Sequence, residues 1–357
     1  MISYFTKMYQ AVPALSQLQQ TLGGTFVSTR SSTLKAILRN YPSAPVAKLS
    51  RIFPQYSAGL NVLKQSQLIV TGSPNNALLK PLQAKKYMVF HGTFAPLSVP
   101  EVKAMAHFDH LCIIGPRMMD VITEAGLGDK ASYSGYLPFL ENPQKNEQNR
   151  AQFLLSLGLD PAKITVLYLP CGRPIGSWDF MAEKLVRQLS TDYNLILRPH
   201  PSHAVTARLK DTVGFLKLQH LISKRGGAYL DLTAQKLAFL YAHGDLVISD
   251  GTSPAEESLY YDLPQIFVET PAYSQGKAEQ VLIDKNIASD HIKKVMQVYD
   301  CGMTLNAETS NINQVIEQSL ADTDAFNASR QAYFNYVFGA HDFAAQQNLI
   351  ASLHQYA

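Results

Sequence analysis

The sequence predicts an α/β protein of two Rossmann-like domains whose parallel sheets face a central cleft. Three observations carry that reading. The 357 residues exceed what one compact core ordinarily holds. Short apolar, β-rich runs alternate with helical stretches through both halves, the pattern of parallel sheets covered by helices. The chemically distinctive motifs all fall just past strand ends, where such sheets hold their ligands.

In chain order, Ile2–Phe5 is a short apolar run, followed by a helical stretch to Leu22 that Gly23-Gly24 terminates. Thr25–Thr29 is β-branched and aromatic, as strands prefer. Leu68–Thr71, Tyr87–Phe90 and Leu111–Ile114 read as buried strands. Pro116–Ala125 reads as a helix with Pro in its first turn and Gly126 past its end. The polar stretch Glu141–Arg150 reads as a linker. A second series begins after it. Ile164–Leu169, Asn194–Leu197, Tyr229–Leu230, Leu246–Ser249 and Gln265–Val268 are its strands. Trp178–Leu189, Ala234–Tyr241 and Pro254–Tyr261 are its helices, and 311–355 is helical by pattern. The expected division is a first domain over 1–145, a second over 146–325, and a helical tail over 326–357 that packs back on the first.

Composition narrows the function classes. No apolar run reaches the roughly 18 residues that a membrane span needs. After Lys7, residues Gln10, Ser16 and Gln17 interrupt any leader-like apolar region. Cys112, Cys171 and Cys301 lie far apart, a spacing that fits reduced thiols in a cytoplasm rather than a zinc site or disulfide framework. Charge is uneven. Residues 1–100 carry ten Lys and Arg and no carboxylate, leaving 21 cations and 28 carboxylates to the rest. A half of one sign attracts anions, such as a lipid head group or an anionic polymer. A solvated basic face is the plain alternative. Val46–Phe53 alternates cations with apolar groups and reads either as a segment resting on an anionic leaflet or as an amphipathic core helix.

Five turns carry candidate chemistry. Leu197-Arg198-Pro199-His200-Pro201 delivers an always-charged anion clamp and a titratable imidazole past a strand end. Such a pair suits a phosphate whose charge grows in a transition state, and a rigid proline turn is the alternative. In Ser249-Asp250-Gly251-Thr252-Ser253-Pro254, a strand runs through a glycine turn into a helix whose amides, with the hydroxyls of Thr252 and Ser253, can cradle phosphate. Ser253 and Glu256 also read as a capping box, which leaves Glu257 as the candidate for ribose hydroxyls. His91-Gly92-Thr93 places an imidazole where a general base belongs, beside a glycine that permits close approach. Cys171-Gly172-Arg173 precedes Ser177, a candidate N-cap, and offers Arg173 to a pyrophosphate. Gly72-Ser73-Pro74 and Gly135-Tyr136-Leu137-Pro138 read as cleft-lining turns or as plain turn chemistry. No Walker or dinucleotide fingerprint and no metal-spaced His/Cys cluster appears, so a metal- and cofactor-independent reaction is expected.

In order and spacing these pieces resemble the CDP-glycerol glycerophosphotransferase family, which includes the teichoic acid primases and polymerases. The similarity spans about residues 65–270. His91–Thr93 resembles that family's HGT element. Asp109–Ala125 resembles its S.RM…EAFG stretch, with Arg117 and Met118 matching. Gly135–Pro138 resembles its GYP turn, Leu167–Arg173 its LYAPTWR segment, and Leu197–Pro201 its RPHP element. Ala242–Glu257 resembles ADLLITDYSSVMFE, with Asp250, Ser253 and Glu257 in register. The chain departs at Gly251 for Tyr, Pro254 for Val and Cys171 for Thr, and Phe94-Ala95-Pro96 stands where PLK often follows HGT.

The resemblance implies a GT-B fold, acceptor binding in the first domain and donor binding in the second. It implies His91 as base, and Arg198, His200, Thr252 and Ser253 on the donor pyrophosphate. The implied reaction is attack of an acceptor hydroxyl, on a glycan or lipid-linked acceptor, at the glycerol-bearing phosphorus of CDP-glycerol, with CMP leaving. A ribitol-type donor, a nucleotide-sugar glycosyltransferase and a sugar-nucleotide 2-epimerase are the other enzyme readings. A polyanion-binding protein is the non-enzymatic one, but ten cations over a hundred residues without stacking aromatics do not suit nucleic acid.

Overall fold

A strand buried on both faces must be covered on both sides, and several runs here are apolar enough to require it. A computed structural model describes residues 1–93, 97–172, 175–204, 209–233, 236–340 and 342–357. It divides into two compact units, Met1–Glu141 with Asn335–Ala357, and Asn142–Phe334.

Among the described residues, the first unit holds a sheet of seven strands: β1 (Ile2–Phe5), β2 (Thr25–Ser28), β3 (Val46–Lys48), β4 (Leu68–Thr71), β5 (Lys85–Val89), β6 (His110–Ile113) and β7 (Ala131–Tyr133). Their order is β3-β2-β1-β4-β5-β6-β7, every pairing parallel. The second unit holds β8 (Thr165–Leu169), β9 (Asn194–Leu197), β10 (Ala228–Leu230), β11 (Leu246–Ser249), β12 (Gln265–Glu269) and β13 (Gly302–Asn306). Their order is β10-β9-β8-β11-β12-β13, again all parallel. Strand order reverses between β1 and β4 in one sheet and between β8 and β11 in the other. Parallel α/β sheets hold ligands at such switch points, beyond the strand C-termini.

Each unit has its own core. In the first, Leu15 and Leu18 of the helix Val12–Leu22 pack with Tyr4, Phe26 and Val70, and Leu349 and Leu353 of the C-terminal helix Ala344–Leu353 join them. In the second, Tyr168 stacks on Trp178 with ring centroids 5.9 Å apart, and Met181, Leu185, Leu195 and Ile248 fill the space around them.

Several expectations change. Glu141–Arg150 is not all linker. Asn146 caps a helix over Glu147–Ser156, its side-chain oxygen accepting from the Asn149 amide at 3.0 Å. Arg150 anchors that helix to Asp245 at 2.6 Å. Val46–Phe53 forms no helix: Val46–Lys48 is an edge strand, and Lys48 Nζ donates to Thr29 O and Ser31 Oγ. The 17-residue helix Leu209–Arg225 was not anticipated, because it exposes Leu209, Val213 and Leu216 while burying Phe215 and Leu218, which blurs its period. Strands β3, β7 and β13 were also missed; at three to five residues, all at sheet edges, they leave little pattern.

Leu353→Ala removes a fully buried side chain and is expected to destabilise the protein by about 2–5 kcal/mol. Leu155→Ala, at a side chain 63% exposed, is expected to change stability by less than about 0.5 kcal/mol. Urea unfolding followed by far-UV circular dichroism measures both.

Candidate functional site

At the switch point of the second unit, β8 and β11 lie side by side and their outgoing loops meet. The β8 loop is close-packed at Gly172 and Gly176, and at Gly176 a side chain does not fit. A Cβ at Gly176 would come within 2.1 Å of Cys171 O, and one at Gly172 within 3.1 Å of His200 Nδ1. Asp250, the first residue after β11, crosses to this loop. Its Oδ2 accepts from the amides of Cys171 at 2.7 Å and Ser177 at 3.1 Å. Burial raises the Asp250 pKa, and these donors oppose the rise. Asp250 therefore braces the loop from inside.

Ser177 does stand at the N-cap of the helix Trp178–Gln188, but it makes no side-chain cap bond; its hydroxyl pairs with Tyr168 OH at 2.8 Å. Cys171 is buried, and burial together with Asp250 pushes its thiol upward, the opposite of nucleophile activation. Arg173 lies outside the described residues.

Beyond Asp250, Ser249 Oγ accepts from the Gly251 amide at 3.3 Å. Gly251 has φ +66°, and a Cβ there would lie 2.9 Å from Tyr299 Cε1, so only glycine suits the turn. Thr252 precedes the helix Ser253–Ser258, and its buried Oγ1 has no hydrogen-bond partner. The expected capping box is absent. Ser253 is already the first helical residue, and Glu256 is fully buried and accepts from Tyr333 OH at 3.1 Å. Glu257 is half-buried beside Tyr241, whose phenol is held well above its ordinary range by burial and by Glu257, with Arg198 opposing.

Arg198 leaves β9 and is buried. Its Nη1 donates to Asp231 Oδ2 at 2.9 Å, so its charge is compensated within the fold. Asp231 was missed in sequence; its one signal is the turn after β10 in which Oδ1 accepts from the Thr233 amide at 2.9 Å. His200 is half-buried. Burial and the neighbouring His203, 6.4 Å away between ring centroids, lower its pKa and favour the neutral ring. His203, Tyr299 and Lys236, whose pKa burial lowers, carry no sequence signal of their own.

In the first unit, Gly72 follows β4, His91 follows β5 and Arg117 follows β6. A Cβ at Gly72 would meet Ala11 Cβ at 2.4 Å and His91 Nδ1 at 3.4 Å, so the imidazole rests on the glycine. Burial lowers the His91 pKa to about 4, and the ring is neutral near pH 7. A Cβ at Gly92 would meet nothing within 4 Å, leaving open space there. Thr93 O accepts from Arg117 Nη2, while Thr93 Oγ1 is buried without a partner, as is Ser73 Oγ. The residues 94–96 that follow lie outside the described residues. Gly135 sits under the Gln346 amide, and Tyr136 is buried between Phe139 and Phe338, so Tyr136 belongs to the core rather than to an open surface. Its apolar ring and the aromatic residues beside it explain the change.

The structure thus gathers Gly172 with His200, Arg198 with Asp231, Glu257 with Tyr241, Gly72 with His91, and Thr93 with Arg117. Among the described residues, no group of three or more His, Cys, Asp or Glu is placed to hold a metal ion. Glycine-turn amides, a partnerless hydroxyl and a neutral imidazole can receive phosphate oxygens without one.

Two outcomes follow from this geometry. Asp250→Ala strands two buried amides and is expected to cost about 2–5 kcal/mol, with Asp250→Asn recovering most of it. Urea unfolding read by the fluorescence of Trp178, the one tryptophan, measures this. His91 is neutral in the fold down to about pH 4 but titrates near 6.5 when unfolded. Between those values the unfolded chain binds more protons, so stability falls as pH falls from 6.5 towards 4. His91→Gln should flatten that slope in unfolding curves at pH 5 and 7.5.

No family model matches the chain, and no curated protein matches it. Solved structures do. The wall teichoic acid polymerase TagF aligns over 99% of this chain and 88% of its own, with TM-score 0.69 and 13% identity. A TagF variant soaked with CDPG aligns with TM-score 0.66 and 14% identity over the same shares. Anabaena Alr3699/HepE in complex with UDP-glucose aligns over 100% of this chain and 99% of its own, with TM-score 0.56 and 12% identity. At these identities the likeness establishes the fold: two parallel-sheet Rossmann-like units of the GT-B class.

Proposed function

We propose that this protein is a transferase that moves an alditol phosphate, glycerol phosphate foremost, from a CDP-activated donor to an acceptor hydroxyl. The carrying observation is the ordered set of turns at His91, Arg198–His200 and Asp250–Glu257, on a fold shared with a teichoic acid polymerase. In the reaction, the acceptor oxygen bonds to the glycerol-bearing phosphorus and the bond from that phosphorus to the CMP oxygen breaks. The electron pair leaves with CMP, and the acceptor proton passes to His91. A neutral imidazole is the state that duty requires.

On the donor side, His200, Thr252 and Ser253 hold the pyrophosphate with the loop amides, and Arg173 adds charge. Arg198 acts from its Asp231 pair, which fixes the guanidinium in one orientation. Glu257 takes the ribose hydroxyls. Ser249 and Asp250 support the donor by shaping the two loops.

A glycan or lipid-linked acceptor fits a basic first hundred residues, and so does an anionic membrane surface at the cytoplasmic face. Ile52, 79% exposed, and Phe53, 59% exposed, stand beside Arg51 on the loop after β3. No described helix is long and apolar enough to cross a membrane. A nucleotide-sugar glycosyltransferase is the second reading, favoured by the full-length likeness to a protein solved with UDP-glucose.

A thermal-shift panel of CDP-glycerol, CDP-ribitol, CDP, CMP and UDP-sugars tests the donor. Selective stabilisation by CDP-alcohols, weakened in Thr252→Val, is expected; selective stabilisation by UDP-sugars transfers the reading to the glycosyltransferase. With CDP-glycerol and a primed acceptor, His91→Ala should lower the rate of CMP release by about 10²–10⁴-fold in a folded protein. Undiminished release would remove His91 from the role of base.

A further inference from the structure

Away from the turns described above, the helix Leu209–Arg225 of the second unit carries two apolar faces. The inner one is satisfied by the fold. Phe215 and Leu218 are buried, Leu221 and Ile222 pack beside them, and Phe215 meets the Trp178 ring edge-on with centroids 6.0 Å apart. The outer face is apolar too. Leu209 is 83% exposed, Val213 58% and Leu216 62%. Their i, i+4, i+7 spacing puts all three on one strip, about 10 Å long at the helical rise. A surface helix ordinarily turns polar residues outward, and an apolar strip left in water marks a contact surface.

The charge of this helix is one-sided. Lys210, Lys217 and Lys224 are exposed and recur every seven residues, so they form a row along one flank of the strip. Exposed Thr212, Gln219 and Ser223 form the other flank. Asp211 is the one carboxylate of the helix, and it is buried. The outer face is also fixed in place. Arg225 donates to the carbonyls of Ser190 at 2.8 Å and Tyr193 at 3.1 Å, anchoring the C-terminal end. Lys217 meets Glu183 of the neighbouring helix Trp178–Gln188 at 2.7 Å.

This combination selects a partner. An anionic bilayer receives such a helix lying flat, with apolar side chains at the acyl boundary and lysines reaching lipid phosphates on flexible stems. A protein partner has to supply an apolar groove with an acidic rim to cover the same strip; the bilayer interface offers both chemistries all over its surface. We propose that this helix docks the second unit on an anionic lipid surface, with Leu209, Val213 and Leu216 entering the interface and Lys210 and Lys224 on lipid phosphates. The surface is separate from the loop after β3 in the first unit, and the proposal stands whichever donor the second unit takes.

Flotation of the full chain with vesicles of phosphatidylcholine alone, and of phosphatidylcholine mixed with phosphatidylglycerol, tests it. Tighter binding to the mixed vesicles, weakened by salt, is expected. Leu209→Gln/Val213→Gln/Leu216→Gln keeps good helix formers at exposed positions and should lower the partition coefficient by about tenfold or more at an unchanged melting temperature. Lys210→Gln/Lys224→Gln, which leaves the Lys217–Glu183 pair intact, should lower it by about fivefold or more. Ile52→Ser/Phe53→Ser reads the first-unit loop separately. Three results would each overturn the proposal: no binding to the mixed vesicles, equal binding to both kinds, or a smaller loss in either helix variant than that expected. Sedimentation velocity adds a fourth, since a dimer that the triple variant disperses gives the strip to a second copy of the chain. Failure of CDP-alcohols to stabilise the protein would leave these results unaffected.

Discussion

One carboxylate oxygen holds the loops of the second unit in place. Asp250 Oδ2 takes the amides of Cys171 and Ser177, which belong to a different strand's loop, across the line where strand order reverses. A buried amide without an acceptor is expensive, and a buried carboxylate without donors more so. Each answers the other here. The consequence is that Cys171 and Ser177 of the β8 loop are tied to one acceptor, with glycines beside them at 172 and 176 and His200 laid over Gly172. The turn after β11 is set in the same way, by Ser249 on the Gly251 amide and by Tyr299 against the bare Gly251.

Charge is used sparingly around that frame. Arg198 is paired with Asp231, Arg330 with Asp262 and Arg150 with Asp245, each inside the second unit. A buried guanidinium demands such a partner. Among the described residues of the second unit, main-chain amides, a threonine hydroxyl and an imidazole are groups that can attract phosphate without carrying full charge. In the first unit, His91 is kept neutral by enclosure over Gly72, and Arg117 is spent on the Thr93 carbonyl.

How legible this was in the sequence depended on the range of the interactions. Buried strands such as Leu246–Ser249 and Asn194–Leu197 announce themselves, because apolar β-branched runs between turn residues have few other folds. Gly23 and Gly126 likewise end their helices in the left-handed region that a side chain resists. The helix Leu209–Arg225 did not announce itself, with apolar residues on its exposed face as well as its buried one. Nor did the helix inside the polar stretch Glu147–Ser156, which depends on the Asn146 cap and on Arg150 reaching Asp245. The turns bearing His91, His200 and Thr252 were identifiable by residue type and by position after a strand.

By itself the sequence determined the α/β class, the two parallel sheets and the strand ends at which the candidate groups stand. These follow from local burial pattern and turn chemistry, which act over a few residues. Only the tertiary structure decided what each group does once there. Ser253 and Glu256 have the spacing of a capping box, yet Tyr333, 77 residues away, takes the glutamate. Ser177 has the identity of a cap, yet Tyr168 takes its hydroxyl. Arg198 has the look of an anion clamp, yet Asp231 holds it, and Tyr136, read as part of a cleft-lining turn or as plain turn chemistry, is core. In each case the partner is distant in sequence and burial makes the pairing obligatory, and no local pattern encodes which distant group arrives.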